Sequence, residues 1–352
     1  MTRKTRAVKA GSVIIGGGFP VSIQTMTRDA LLPDRLSAVV QRIEALRKRG
    51  CDLVRFAVPD LPTAELLGSL STVTDCPLVA DVHFDYRIAL RCLDFPLAKV
   101  RINPGTIGDE AKVRDVVAKA KDRGIALRVG VNAGSLPNSL DSEPDLALAM
   151  VTAAEMELEI LERLGFSDVV FSLKSSDIGH TVKANEMFAR KYDYPLHVGL
   201  TEAGPLVPGL VKNSIAISDL LKQGIGDTIR VSLSGTEEEE VEGGLSILRA
   251  VGARRYGVNV ISCPRCGRST FDVKSFLEQV SDFIQGISRP LTIAVMGCEV
   301  NGPGEARRAD IGITGAGTRA IIFRGGKVLR QVPFEQAASA FRQEVGRLCE
   351  QG

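Results

Sequence analysis

Short apolar segments rich in β-branched residues recur between about residue 20 and residue 250. Each is followed by a polar loop and then by a longer stretch whose apolar residues have helical spacing. Eight such segments occur, at residues 21–27, 53–58, 78–84, 98–105, 126–132, 169–174, 196–202 and 228–234. The pattern predicts eight β-strands that alternate with α-helices.

The stretch at 35–50 shows the helical part of the repeat. Its apolar residues share one face, and Gly50 supplies a stop signal; they are Leu36, Val39, Val40, Ile43 and Leu46. Similar patterns cover 109–124, 145–165 and 214–224. Eight βα units in about 230 residues suit a (β/α)8 TIM barrel. A doubly wound open sheet of eight strands is the alternative, and we predict the barrel.

The pattern changes after about residue 255. The remaining sequence contains a Cys-x-x-Cys pair, a helical stretch at 272–286, an apolar strand-like run at 291–297, a Gly-rich stretch, a hairpin-like segment at 320–332 and a closing helical stretch. We therefore predict a substrate-binding barrel domain over 1–255 and a small α/β domain over 256–352. The acidic run at 237–240 is placed at the start of the eighth helix, where negative charge suits the helix dipole, and is given no functional role.

Charge and hydropathy exclude some classes of protein. The chain has 352 residues, with 44 basic and 42 acidic side chains and a net charge of +2, which argues against binding nucleic acid by bulk charge. No apolar run is long enough to span a membrane, and the basic first residues are not followed by the apolar core of a signal peptide. We expect a cytoplasmic protein.

The seven cysteines divide into two groups. In a reducing compartment they are not expected to form a disulfide framework. Four of them, Cys51, Cys76, Cys92 and Cys349, lie in apolar or helical contexts and are interpreted as structural thiols. Cys263, Cys266 and Cys298 remain as candidates for chemistry.

Polar and charged residues cluster where the predicted strands end. Side chains two apart on a strand share a face, and active sites of TIM barrels lie at the carboxyl ends of the strands. The predicted mouth of the barrel therefore carries five cations, four neutral donors, one acid and one histidine: Arg55, Arg101, Arg128, Lys174, Arg230, Asn103, Asn132, Ser172, Ser232, Asp81 and His83. Because the cations repel one another, this arrangement predicts a small, multiply anionic substrate, and a diphosphate suits the Arg side chains best.

Two residues at the mouth are candidates for proton transfer. Glu202 follows the seventh segment and is either a structural counter-ion or the acid that moves a proton to a leaving oxygen. His83 is either a second proton donor or a hydrogen-bonding residue of the rim. His180 and His197 are assigned to a helix and to the strand wall.

The remaining cysteines favour a metal cluster. Cys263-Pro-Arg-Cys266-Gly resembles half of a zinc ribbon, but the sequence has no second Cys-x-x-Cys. The stretch MGCEVNGPGEA supplies Cys298 and a Gly-Pro-Gly turn that would bring Glu305 towards it. Three thiolates and one weakly bound carboxylate suit an iron-sulfur cluster whose fourth iron is accessible. A structural zinc and a thioredoxin-like exchange pair are the alternatives.

These motifs also resemble one family. SCPRCGR and MGCEVNGPGEA, together with VSIQTMT, DVHF, KVRINPG, RVGVNAGSL, SLKSSD, HVGLTEAGP and GIGDTIRVSL, are similar to motifs of the 4-hydroxy-3-methylbut-2-enyl diphosphate synthase family in its two-domain bacterial form. The resemblance covers nearly the whole chain in order. It implies a barrel followed by an iron-sulfur domain.

The resemblance also implies an activity and site roles. The reaction would be reductive ring opening and dehydration of 2-C-methyl-D-erythritol 2,4-cyclodiphosphate, with two electrons passed through a [4Fe-4S] cluster from ferredoxin or flavodoxin. The implied ligands are Cys263, Cys266, Cys298 and Glu305. The implied substrate-binding residues are Arg55, Arg101, Arg128, Lys174, Arg230, Asn103, Asn132 and Ser232. Glu202 would be the proton donor or relay, with His83 nearby. The family implies a head-to-tail homodimer, whereas this sequence alone also allows one chain to fold over itself.

Two positions depart from the family pattern. Arg28-Asp29-Ala30 replaces the usual Asn-Thr-x-Thr after the first strand, and Glu299 follows Cys298 where an apolar residue is more usual. The rival hypothesis is a phosphate-binding barrel without redox chemistry, whose C-terminal domain is held by zinc.

Overall fold

The computed structural model describes residues 3–102, 107, 110–140, 142–264, 266–298 and 308–350. The chain forms two compact units, Met1–Arg254 and Arg255–Gly352. Among the described helices, none combines the length and the apolar composition needed to cross a membrane.

The first unit is a parallel β-barrel. Its strands are β3 (Ser22–Met26), β4 (Leu53–Ala57), β5 (Leu78–Asp81), β6 (Lys99–Ile102), β7 (Ala126–Asn132), β8 (Val169–Lys174), β9 (His197–Val198) and β10 (Thr228–Ile229). The order is β8-β7-β6-β5-β4-β3-β10-β9, and a parallel bridge from Phe171 to Leu196 links the two ends of this sheet. The predicted TIM barrel is confirmed, and each predicted segment contains one strand.

Helices follow the barrel strands. They are α1 (Leu36–Lys48), α2 (Leu61–Ser71), α3 (Tyr86–Cys92), α4 (Glu110–Arg123), α5 (Leu146–Arg163), α6 (Ile178–Lys191), α7 (Leu206–Lys222) and α8 (Glu237–Ala250), with short 3-10 turns at Pro33–Arg35, Ala133–Ser135 and Asn138–Leu140. Helix α8 begins with a capping box, in which Thr236 and Glu239 satisfy each other's backbone N–H groups. These local signals fix where α8 begins.

A hairpin closes the amino-terminal end of the barrel. It consists of β1 (Ala7–Ala10) and β2 (Val13–Gly16), which pair antiparallel. Val8, Ala10 and Ile15 are fully buried and pack in one cluster with the first inward residues of the barrel strands, including Leu53 and Val170. The hairpin was not predicted from the sequence, because its short strands are not followed by a helix and so do not match the strand–helix repeat. The hairpin seals the barrel opposite the mouth.

The described part of the second unit contains a five-stranded mixed sheet and two α-helices. Strands β11 (Val258–Ser262), β12 (Leu291–Met296) and β13 (Ile311–Ala316) are parallel, and β14 (Arg319–Arg324) and β15 (Lys327–Pro333) continue the sheet antiparallel. Helices α9 (Val273–Gln285) and α10 (Ala337–Glu350) share one apolar core with the sheet, where the rings of Phe276 and Phe341 lie 5.4 Å apart. A 3-10 turn at Phe334–Gln336 precedes α10. The predicted α/β domain is therefore observed.

Candidate active site

The cationic residues converge at the carboxyl end of the barrel. Arg55, Arg101, Arg128 and Lys174 are buried there, and Arg230 is half-buried. A cavity of about 150 Å³ is lined by these five residues with Asp81, His83, Asn132, Leu200 and Thr201. Because inward residues on neighbouring parallel strands lie side by side, the alternation of each strand delivers its cation to the same place.

Asp81 lies at the centre of this site. Arg101 Nη1 donates a hydrogen bond to Asp81 Oδ1 at 3.0 Å, and Arg55 Nε lies 3.5 Å from Asp81 Oδ2. Burial opposes ionisation of the Asp81 carboxyl, but the charges of Arg55 and Arg101 outweigh burial and lower its pKa. Asp81 therefore carries a fixed negative charge that orients two of the arginines.

Gly130 gives Arg101 the space it occupies. A Cβ atom at Gly130 would lie 2.8 Å from Arg101 Nε, and Arg101 Nη2 donates to the Gly130 carbonyl at 3.4 Å. A larger residue here would displace the guanidinium group, so the glycine on β7 is needed for the arginine on β6.

Glu240 positions Arg230 from outside the sheet. The Glu240 side chain is 1% exposed and accepts hydrogen bonds from Arg230 Nη2 at 3.0 Å and Nε at 3.3 Å. It also accepts from the Thr25 hydroxyl at 2.8 Å and from the Leu233 N–H at 3.2 Å. The acidic run was predicted to serve only the helix terminus, but one of its members holds a residue of the cavity.

The loop that departs from the family pattern also reaches Glu240. Arg28 Nη2 lies 3.7 Å from Glu240 Oε1 and donates to the Leu233 carbonyl at 3.0 Å, and the Arg28 N–H donates to Glu237. Arg42 bridges Asp29 and Glu237. The atypical residues are thus integrated into the start of α8.

The positive charges of Arg128 and Lys174 are not balanced by a directly paired acid among the described residues. Arg128 Nη2 donates to the Ser172 hydroxyl at 2.7 Å, while Arg128 Nε and Nη1 have no hydrogen-bond partner among the described residues. Burial lowers the pKa of both side chains, and repulsion by neighbouring cations adds to this, chiefly from Arg55 on Arg128 and from Arg128 on Lys174. An anionic ligand would relieve both effects.

His83 lies at the entrance. Its side chain is 48% exposed, and its ring nitrogens lie 2.6 and 3.0 Å from Arg101 Nη1. Burial and the charge of Arg101 both lower the pKa of His83. The neutral imidazole is therefore suited to accept a hydrogen bond from Arg101, and its exposed edge faces the opening.

Three other predicted residues have different placements. Glu202 is exposed, follows the cavity residue Thr201 and adopts a left-handed backbone with φ of 51°, which is uncommon for a non-glycine residue. Ser232 is half-buried and uses its backbone carbonyl to accept from Asn213 Nδ2 at 3.2 Å. Neither Glu202 nor Ser232 lines the cavity. Asn103 lies outside the described residues.

The candidate cysteines in the second unit lie at the carboxyl ends of two adjacent strands. Cys263 directly follows β11, Cys298 lies two residues beyond β12, and the two strands are paired in parallel. The Gly297 N–H donates to Cys263 Sγ at 3.0 Å, and the Thr314 hydroxyl donates to the Cys298 carbonyl at 2.9 Å. Cys266 is exposed. Glu299 and Glu305 lie outside the described residues.

Two features of this arrangement suit an iron-sulfur cluster, although the described residues include no group of three potential metal ligands close together. Cys263, Cys266 and Cys298 are all free thiols. The Ser269 N–H donates to the Cys266 carbonyl, and the Thr270 N–H donates to the Gly297 carbonyl, so the loop with the Cys pair is tied back to the end of β12. A backbone N–H donated to a sulfur stabilises a thiolate and tunes the potential of a bound cluster.

The structural cysteines are placed as predicted. Cys51, Cys76 and Cys92 are buried, and Cys349 is half-buried in α10. Burial raises the pKa of Cys76 and of Cys92 to about 12, so these thiols are protonated and unreactive at neutral pH.

Sequence reasoning missed Glu240 and Lys99. Lys99 has the same inward phase as Arg101, two residues before it on β6, and this alternation was the signal that would have found it. No local pattern identifies Glu240, because only the packing of α8 against β3 and β10 brings it to Arg230.

Comparisons with known proteins follow the same two-unit division. The model of the GcpE TIM-barrel domain matches residues 5–245, and that of the GcpE protein C-terminal domain matches residues 259–347. Relatives named 4-hydroxy-3-methylbut-2-en-1-yl diphosphate synthase (flavodoxin) include a protein of Treponema denticola, 47% identical over 92% of this chain and 89% of its own length. The relative from Thermodesulfovibrio yellowstonii is 46% identical over 97% of this chain and 98% of its own length. The relative from Geobacter sulfurreducens is 44% identical over 99% of both chains.

Solved structures agree on the barrel alone. A dihydropteroate synthase from Xanthomonas albilineans superimposes with a TM-score of 0.50 at 15% identity, covering 70% of this chain and 99% of that protein. The dihydropteroate synthase from Yersinia pestis superimposes with a TM-score of 0.50 at 12% identity, covering 70% of this chain and 97% of that protein. At these identities the likeness shows a shared fold and nothing about the reaction.

Proposed function

This chain belongs to the GcpE family, and on that premise we propose that it converts 2-C-methyl-D-erythritol 2,4-cyclodiphosphate to 4-hydroxy-3-methylbut-2-enyl diphosphate in the non-mevalonate isoprenoid pathway. The ring C–O bond opens, a hydroxyl group leaves as water, and two electrons and two protons are consumed for the neutral species. The observation that carries this function is the buried ring of cations at the barrel mouth.

The barrel residues bind and orient the diphosphate. Arg55, Arg101, Arg128, Lys174 and Arg230 converge on one cavity, and among the described residues the acids that pair with them there are Asp81 and Glu240. Two phosphate groups supply the missing negative charge and fit the forked donors of the arginines. Asn132 lines the same cavity as a neutral donor, and Asn103 and Ser232 are retained as expected substrate contacts.

A [4Fe-4S] cluster is the cofactor we propose for the second unit. Cys263, Cys266, Cys298 and Glu305 would hold it, with Glu305 as the replaceable ligand. When bound, it supplies single electrons and an iron that acts as a Lewis acid for a substrate oxygen. The Gly297 N–H at Cys263 Sγ holds one ligand sulfur in place. Reduced flavodoxin is the proposed donor, in line with the names of the relatives, and ferredoxin is the alternative.

Proton transfer is assigned to Glu202, with His83 nearby. Glu202 follows the cavity residue Thr201, and its left-handed backbone is a local strain of the kind found at active sites. His83 stays neutral beside Arg101, which suits a hydrogen-bonding role at the entrance. We place the enzyme in the cytoplasm as a head-to-tail homodimer, in which residues 1–255 of one subunit bind substrate and residues 256–352 of the other hold the cluster that reduces it.

Cofactor analysis tests the proposal directly. Protein purified without oxygen should be brown, contain about four iron and four sulfide per chain and absorb broadly near about 400 nm until a low-potential reductant is added. With reduced flavodoxin it should convert the cyclic diphosphate. Colourless protein with one zinc per chain would instead support the zinc-held, non-redox barrel.

A further inference from the structure

The inner face of the barrel carries polar side chains at the mouth and also deeper inside, towards the amino-terminal ends of the strands. Most TIM barrels fill this interior with branched apolar side chains. Here five buried polar residues occupy it, each at most 4% exposed: Ser22, Gln24, Lys99, His197 and Thr228. They come from four different strands, so the polar interior is a property of the barrel and not of one segment.

Strand register places these residues between the hairpin and the diphosphate site. Lys99 is paired with Val79 and Ala126, which pack against the closing hairpin, and Arg101 follows Lys99 by two residues on the same face. Thr228 is paired with His197 and with Ser22, and Arg230 follows Thr228 by two. The group therefore lies directly beneath the cations of the cavity.

These side chains lack partners within the described protein. Lys99 Nζ, both ring nitrogens of His197, both amide atoms of Gln24 and the hydroxyls of Ser22 and Thr228 make no hydrogen bond to the described residues. Buried polar atoms without partners are costly, and native proteins satisfy them with ordered water. This layer between the hairpin and the cationic cavity therefore carries donors and acceptors that the described protein groups leave unsatisfied.

The charges around Lys99 oppose its protonation. Burial lowers the pKa of Lys99 well below its ordinary value, with repulsion from Arg128 and Arg55 adding to this. Burial likewise lowers the pKa of His197, with repulsion from Lys174, Arg128, Lys99 and Arg55. The acids of the site offer little relief, because Asp81 is engaged by Arg55 and Arg101, and Glu240 by Arg230.

We propose that Lys99 is a buried proton acceptor beneath the diphosphate site and takes up a proton from solvent when the multiply anionic substrate binds above it. The inference rests on the proposed function. The step forms one N–H bond: enzyme, substrate dianion and H⁺ give the complex with Lys99 as an ammonium. The substrate's charges offset the repulsion from Arg128 and Arg55, and the unpartnered polar groups of this layer supply acceptors for the new cation. Lys99 thereby adds one positive charge beneath the site when the negatively charged substrate is bound.

Calorimetry measures this proton uptake directly. The oxidised holoenzyme is titrated with the cyclic diphosphate, without reductant, in two buffers of different ionisation enthalpy at about pH 8. The ligand has no group that titrates near neutral pH, so any proton exchanged belongs to the protein. We expect uptake of about one proton per site. Because the complex then binds more protons than the free enzyme, the affinity for the cyclic diphosphate should fall about tenfold for each unit by which the pH rises, between the pKa of Lys99 in the free enzyme and its pKa in the complex.

Three variants locate the proton. Lys99→Met should abolish the uptake, flatten the pH profile of affinity and melt no lower than the unmodified protein, since a buried amine without a partner is replaced by a thioether of similar length. His197→Gln and the control Lys274→Met, whose side chain is 88% exposed, should retain the uptake. Binding without proton uptake, or uptake that persists in Lys99→Met, would overturn this proposal and leave the proposed function standing. Absence of binding by the unmodified enzyme would overturn both.

Discussion

At the scale of single residues, buried acids set the geometry of the cationic site. Asp81 holds Arg55 and Arg101 within the barrel, and Glu240 reaches Arg230 from α8. Without these acids the guanidinium groups would repel one another and lose their fixed orientation. The ion pairs are therefore a means of preorganisation, since burial makes their net contribution to stability small.

Replacing Glu240 by Gln should lower both stability and substrate affinity. The change leaves the half-buried Arg230 without its counter-ion, and removing one partner of a largely buried pair costs about 3 kcal/mol. Chemical denaturation and the KM for the cyclic diphosphate measure the two effects. Glu242→Gln on the same helix is the matched control, because its side chain is 49% exposed and its pair with Arg249 should contribute less than about 1 kcal/mol. Equal losses in both variants would contradict this role of Glu240.

Two glutamates should have separable functions. Glu202→Gln should keep its iron content and slow turnover by about a hundredfold, because a general acid contributes at least that much. Glu305→Ala should lose or open the cluster, which iron analysis and the absorption spectrum report. If Glu202→Gln lost iron, the division of roles between these carboxylates would be wrong.

At the scale of elements, the amino-terminal hairpin completes the barrel. Ile15 is fully buried against the first inward residues of the strands, whereas Lys9 on the same hairpin is exposed. The hairpin closes the end opposite the cavity and so keeps the polar interior apart from bulk solvent.

Shortening Ile15 should loosen this closure. We expect Ile15→Ala to lower the free energy of unfolding by about 3 kcal/mol, since it removes buried methyl groups and leaves a cavity. Lys9→Ala is the control and should change it by less than about 0.5 kcal/mol. Denaturant titration of the two variants measures the difference, and a stability loss for Ile15→Ala no larger than the control's would show that the hairpin is dispensable.

At the scale of the whole molecule, the two candidate sites lie in separate units. The cations of the cavity belong to Met1–Arg254, and the candidate ligands Cys263, Cys266 and Cys298 belong to Arg255–Gly352. In the proposed head-to-tail homodimer, the barrel of each subunit works with the cluster of the other.

Mixed dimers test this sharing. Alone, Glu202→Gln should retain about one per cent of the unmodified activity, and Cys298→Ser should be inactive. In a dimer formed from one chain of each, one site combines the intact barrel of the Cys298→Ser chain with the intact cluster domain of the Glu202→Gln chain. Random reassociation of equal amounts should therefore restore about a quarter of the unmodified activity, because half of the dimers are mixed and each has one complete site. Activity of the mixture no higher than that of Glu202→Gln alone, or active protein that sediments as a monomer, would show that each chain completes its own site.

The barrel could be predicted from the residues alone, because eight apolar segments with helical stretches between them have few other ways to bury their faces. The sequence also predicted which cations share a site, since alternation along a strand and the common direction of parallel strands follow from local geometry. The family resemblance supplied the reaction and the cluster.

Which side chains meet across different elements depends on the packed structure. Glu240 reaches Arg230 because α8 packs on the barrel, and the hairpin seals an interior whose residues Lys99 and His197 have no partner among the described residues. Periodicity assigns a side chain to a face, but burial, repulsion and missing partners depend on everything that surrounds that face. For this reason the electrostatic state of the barrel interior could be inferred only from the packed molecule.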